Sequence, residues 1–188
     1  MTTPYIPPAE VRQQPASQRY LNALDIVLRL EGGAQIAPWP AELGGITKYG
    51  IIQPTLDRYR RQHGATSAPA RVRNLTEDDA RRIYYRQYWK ATSADTLPEP
   101  MATAFFDTAV HAGPAAARSL LRRSGPDVGR FMQARQRRSD SVALARGHPE
   151  MVRAWRNRYA NLMTMLENAG QPKPRNAIEV LMGDAGSP

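Results

Sequence analysis

Apolar residues recur at three- and four-residue intervals through most of this chain, and the interruptions mark where its elements end. Tyr20, Leu21, Leu24, Val27 and Leu28 form the first such stripe, with Ser17 placed to cap the helix and Gly32-Gly33 to stop it. From Ala34 to about residue 52 the helical period lapses. Three turn clusters separate short apolar pieces at Ile36 and at Tyr49 to Ile51, which predicts a small irregular hairpin. Pro54 opens a short helix closing at His63-Gly64. Thr76 caps another, with Asp79 in the capping-box position, that carries Ile83, Tyr84, Tyr88 and Trp89. Pro98 and Pro100 introduce a stripe of Met101, Phe105, Phe106, Ala109 and Val110, and Pro114 starts the helix that ends near Ser124-Gly125. Two longer helices follow, Val128 to Ala145 and Pro149 to Ala169, joined by a tight Gly147-His148-Pro149 turn. The predicted fold is mainly α with one small β hairpin.

The ends read differently. Residues 1–16 are proline-dotted and aperiodic, an extended arm, and residues 170–188 form a second tail with an apolar turn at Ile178, Val180 and Leu181. Order in either tail would require Tyr5, Ile6, Ile178 or Leu181 to pack on the body or on a neighbour. A length of 188 residues suits one core with a small appendage. With no cysteine, disulfide frameworks, zinc ribbons and thiol nucleophiles are all excluded. The three histidines, at 63, 111 and 148, have no paired metal spacing, so neither a metal nor another cofactor is expected. No apolar run is long enough for a membrane span, and the first residues lack a secretory signal pattern. The expectation is synthesis in the cytoplasm followed by delivery to the place of action.

The candidate chemistry lies at Leu30-Glu31-Gly32-Gly33. Glu31 falls at the C-terminal end of a helix, flanked by Val27, Leu28 and Leu30. Apolar surroundings and the negative end of the helix dipole both disfavour a carboxylate, so both raise its pKa toward that of a general acid. Gly32 and Gly33 let the backbone turn and leave room for a large ligand. The competing reading is a solvated helix-end acid with a glycine cap behind it. Sixteen positions on, Thr47 sits in Gly44-Gly45-Ile46-Thr47-Lys48-Tyr49-Gly50-Ile51. An acid at a helix end followed by a β excursion bearing a polar residue is the arrangement of lysozyme-like folds.

Those two motifs resemble glycoside hydrolase family 108, the N-acetylmuramidases commonly encoded by phages, whose signature is EGG followed by GGxTxYGI. The resemblance continues through Leu75 to Ala80, Ile83 to Trp89, Leu97-Pro98 and Phe106 to Gly113, and covers about Tyr20 to Glu167. It implies a lysozyme-like catalytic domain over 17–124 and a C-terminal helical part over 125–169, carrying Phe131, Arg135 and Val152 to Arg158, that resembles a peptidoglycan-binding region. The implied reaction is hydrolysis of the β-1,4 bond between N-acetylmuramic acid and N-acetylglucosamine. Glu31 is then the acid. Thr47 positions a water, Glu42 is the nearby carboxylate for the base, and inversion follows. Gly32, Gly33, Tyr49 and Trp89 are the candidate substrate-binding residues, with Tyr84 and Tyr88 assigned to the core and Asp107 to tying helices together. The chain departs from the family pattern at Ala34, at Ala37-Pro38 and at Glu42-Leu43, where an aromatic and two aspartates are usual, and His111 replaces an asparagine.

Charge adds a partner. The formal net charge is +9, and between residues 118 and 158 eleven arginines face three acids. An anionic cell wall fits this excess better than nucleic acid, because base-stacking motifs and helix-turn-helix patterning are missing. The resemblance also implies a phage context, as a free endolysin or as a virion component docked through its tails to other particle proteins. Two rivals stay open: a non-catalytic wall-binding or structural virion protein on the same scaffold, and a lytic transglycosylase.

Overall fold

The computed structural model describes residues 17–32, 35–38 and 45–169. Both tails lie outside the described residues, with the packing expected of Tyr5, Ile6, Ile178 and Leu181. So do Gly33, Ala34 and the loop 39–44 that contains Glu42.

Helix α1 spans Gln18–Leu30, and the Ser17 hydroxyl accepts from the Tyr20 amide. Three short strands follow, β1 (Ile36–Pro38), β2 (Ile46–Lys48) and β3 (Ile51–Ile52), paired antiparallel in the order β1-β2-β3. Thr47 lies opposite Ala37 on one side and Ile52 on the other. The small β element is thus a three-stranded meander whose second turn, Tyr49-Gly50, has positive φ at both residues (53° and 72°), the signature of a tight type I′ connection.

Helix α2 (Gln53–His63) begins with Pro54 in its first turn, where the missing N–H costs nothing. Helix α3 (Glu77–Tyr84) opens with the full Thr76–Asp79 capping box and three acids at its positive end. It runs on as a π-helical stretch over Tyr85–Lys90. Helices α4 (Met101–Ala112), α5 (Pro114–Ser124), α6 (Val128–Ala145) and α7 (Glu150–Ala169) complete the chain.

The centre of the molecule is α4. Nine consecutive residues, Met101 through Ala109, are buried, which is the pattern of a helix surrounded on all sides. Helices α1, α5, α6 and α7 all pack against it. Tyr20, Trp89 and Phe106 form an edge-to-face aromatic cluster with centroids 5.3–5.9 Å apart. Each such pair adds about 0.5–1.5 kcal/mol beyond its area burial. Phe131 of α6 meets Phe105 of α4 at 6.1 Å, and both belong to the same buried cluster as α1. One core therefore runs across residue 124, where the sequence suggested a boundary. Among the described residues, no helix is long and apolar enough to cross a membrane.

Candidate active site

Helix α1 ends where the sequence placed its end, and Glu31 is the residue after its last turn, its amide donating to the Val27 carbonyl. The side chain is 21% exposed. It faces the meander on one side and helices from the far end of the chain on the other.

On the meander side, the turn at Tyr49-Gly50 presses against the acid. A Cβ at Gly50 would lie 2.7 Å from Glu31 Oε2, 2.8 Å from Glu31 Cβ and 2.8 Å from the Tyr84 hydroxyl. Only glycine fits there, both for space and for φ. The turn is fastened by the buried Tyr84 hydroxyl, which donates to the Tyr49 carbonyl at 2.7 Å. Tyr84 therefore links α3 to the turn beneath the acid.

On the helical side, Arg158 of α7 makes three contacts with its guanidinium fork. Nη1 donates to the Leu30 carbonyl at 3.0 Å, and Nη2 donates to Glu31 Oε1 and to Asp107 Oδ1, both at 2.8 Å. Asp107 of α4 is fully buried, and its Oδ2 lies 2.6 Å from Arg135 Nη2 of α6. The latter contact is close but poorly aligned for a hydrogen bond, so it acts as an ion pair. Two carboxylates and two guanidiniums thus alternate along one chain of contacts: Glu31, Arg158, Asp107, Arg135.

The electrostatics follow from this alternation. Burial is the main force on Glu31 and raises its pKa; Arg158 opposes the rise, while the Asp107 charge reinforces it. Burial also works against ionising Asp107, but the two arginines outweigh it and hold that carboxyl below its ordinary value. His111, one turn after Asp107, is pushed down to about 4 by burial and by the Arg135 and Arg158 cations, and its ring meets Trp155 edge-on. The arrangement keeps one carboxyl inclined to hold a proton and the other ionised, which is the division of labour a general acid requires.

The remaining predicted residues fall as follows. Gly32 adopts φ 82° just beyond Glu31, and no described atom would crowd a side chain there. Thr47 is half-buried on the central strand, its hydroxyl donating to the Ile51 carbonyl at 3.3 Å, and no hydrogen bond joins it to Glu31. Tyr49 is buried and contributes its backbone to the turn, with the Lys48 ammonium 5.7 Å from its ring centroid. Trp89 corrects an expectation: it is 2% exposed and packed between Tyr20 and Phe106, so it is a core residue and offers no face to a sugar. Tyr84 and Tyr88 are buried as expected, and Asp107 ties α4 to α6 and α7. Among the described residues no group of acids and histidines is arranged to hold a metal ion.

Sequence reasoning missed Gly50, Arg135 and Arg158 as parts of the site. A signal existed for the arginines. Phe131, Arg135 and Ser139 share one buried face of α6, and Arg158 lies between Trp155 and Leu162 along the inward face of α7. A charge on an apolar stripe needs a buried partner, and Asp107 in the buried stretch of α4 was the complementary one.

Comparison with known proteins agrees with this architecture. Residues 24–113 match the family model described as glycosyl hydrolase 108. A solved structure of SagA from Brucella abortus superposes with a TM-score of 0.63 at 23% identity, covering 84% of this chain and 99% of that one, and so shares the fold. No curated protein sequence matches the chain. The matched segment contains Glu31, the meander and α4 up to Gly113, and this glycosyl hydrolase 108 match marks the chain as a glycoside hydrolase.

Proposed function

We propose that the protein is a peptidoglycan hydrolase with N-acetylmuramidase activity, cleaving the β-1,4 bond after N-acetylmuramic acid with Glu31 as the general acid. The observation that carries this is the state of Glu31. It is a partly exposed carboxyl at a helix end, raised in pKa by burial and held at one oxygen by Arg158. Such a group can deliver a proton to a glycosidic oxygen. An open concavity of about 370 Å³, lined by Arg58, Gln87, Tyr88, Val110, Gly113 and Pro114, is the candidate saccharide track. Thr47 as the water-positioning hydroxyl and Glu42 as the base complete the inverting reading. The enzyme reaches the wall as a released endolysin or inside a phage or phage-like particle, a reading that rests on the kind of family it resembles.

The test is turbidity loss of purified sacculi with wild type and Glu31→Gln, which removes the proton and keeps the shape. The expected loss is at least the roughly 10²–10⁴-fold that general acid catalysis supplies. Thr47→Ala should lose less. Products with reducing muramic ends support the muramidase reading, and anhydro-muramic ends would replace it with a lytic transglycosylase. Near-normal lysis by Glu31→Gln would remove Glu31 from the mechanism. Wall binding without lysis by the wild type would favour the non-catalytic alternative.

A further inference from the structure

We infer that α7 is part of the catalytic machinery, with Arg158 as a positioning residue that orients Glu31 and sets its acid strength while Asp107 and Arg135 hold Arg158 in place. This rests on the reading of Glu31 as the acid. It also gives the C-terminal helices a role at the reaction centre that a wall-binding appendage would not have. Arg158 lies 45 residues beyond the end of the segment matching the family, and 127 residues from its partner Glu31.

The geometry makes three points. First, Arg158 Nη1 caps the Leu30 carbonyl while Nη2 grips Glu31 Oε1, so one rigid fork fixes the helix end and the carboxyl together. With Oε1 held and Gly50 packed beside Oε2, the carboxyl has little freedom to rotate. Second, the fork does not float. Its Nη2 is shared with Asp107, which is fully buried and paired on its other oxygen with Arg135, itself 5% exposed. Third, the shared proton donor divides its charge between two carboxylates, so Asp107 limits how far Arg158 can favour ionised Glu31.

The groups around Glu31 all enter this balance. Asp107 faces it from α4, Arg135 from α6 and Arg158 from α7, and His111 stands one turn beyond Asp107 within reach of those same charges. Tyr84 and Tyr88 stand on the α3 side, and the uncharged Tyr49-Gly50 turn closes the meander side. Among the described residues Arg158 is the cation in direct contact with the acid, and Asp107 is the anion that shares it.

The experiment pairs a titration that needs no substrate with steady-state kinetics. Full-length protein carrying ¹³C-labelled glutamate carboxyls is titrated by NMR, with Glu31 assigned from its missing signal in Glu31→Gln. In Arg158→Met the Glu31 pKa should rise by about one unit or more, the effect of removing an opposite charge in contact. The alkaline limb of kcat should move up with it, and kcat at the optimum should fall by about tenfold or more with little change in KM. Arg158→Lys keeps the charge but loses the fork. It should leave the limb near its wild-type position and still lower kcat, which tests positioning even if Arg158→Met folds poorly. An unmoved Glu31 pKa in Arg158→Met, or wild-type kcat in Arg158→Lys, overturns the inference. Failure of the muramidase reading would look different: Glu31→Gln would lyse walls normally while the NMR coupling between Arg158 and Glu31 persisted.

Discussion

Under the proposed mechanism Glu31 is both a part of the fold and a proton donor, and these demands conflict. Its pKa in the folded protein is raised above the ordinary value of 4.5, so ionising it costs stability. The sign fixes the window: below pH 4.5 the group is protonated folded and unfolded and costs nothing, and the penalty grows as pH rises through the folded value. Glu31→Gln should therefore melt no lower than wild type at neutral pH, an advantage that disappears in thermal melts below about pH 4.5. His111 works with the opposite slope. Its folded pKa is pushed from 6.5 down to about 4, so the stability it contributes is complete above pH 6.5 and is lost as pH falls toward 4. His111→Asn should flatten the stability profile across that window, by about 1–3 kcal/mol between its ends, as read by denaturant titration. Asp107, held below its ordinary 3.8, loses its contribution only at lower pH, which separates the two effects.

At the scale of elements, the meander and α3 act as a support for the acid. The Tyr49-Gly50 turn is pinned by Tyr84, and its glycine touches Glu31 where any side chain would collide. Gly50→Ala should cost about 2–4 kcal/mol, combining left-handed strain with overpacking. It should also lower activity by about 10²-fold, since displacing a catalytic group by about an ångström has that effect. Gly32→Ala is the control. Its φ is also positive but no described atom would crowd a side chain there, so its cost in stability should be the strain alone, about 1–2 kcal/mol. Comparing melting temperature with lysis rate for the two variants checks this. The elements themselves were legible because their signals are local: Ser17 and the Thr76–Asp79 box, Pro54 and Pro114 at first turns, Gly64 and Gly125 at ends. The π-helical stretch at Tyr85–Lys90 was not, since its apolar spacing reads as an ordinary helix continuing through Trp89.

Across the whole molecule, charge is segregated. Eleven arginines between residues 118 and 158 face three acids, and Arg123, Arg130, Arg137 and Arg138 line a concavity of about 640 Å³ between α5 and α6. Two of the eleven, Arg135 and Arg158, are committed to the interior. Attraction of the rest to an anionic wall should weaken as the screening length shrinks from about 10 Å at 0.1 M salt to about 3 Å at 1 M. Lysis of sacculi should therefore slow with added salt, while cleavage of short uncharged glycan fragments should not. Replacing Arg123, Arg137 and Arg138 together with glutamine should reproduce the high-salt rate at low salt.

Helix positions, the β excursion and the placement of an acid at the end of the first helix were determined by the sequence, because capping, turn chemistry and periodicity act over a few residues. Glu31 as the candidate acid was readable for the same reason: the helix end and the two motifs around it are contiguous. Trp89 was misassigned because a large aromatic on a helix carries no mark of which side is covered, and that depends on Tyr20 and Phe106 from elsewhere in the chain. Arg158 and Arg135 read as part of the basic excess and of the likeness to a peptidoglycan-binding region, and only the packing of α6 and α7 on α4 turned them inward. An ion pair across 127 residues leaves no local trace; its physical basis is the cost of a buried charge, which is met only once the fold brings Asp107, Arg158 and Glu31 together.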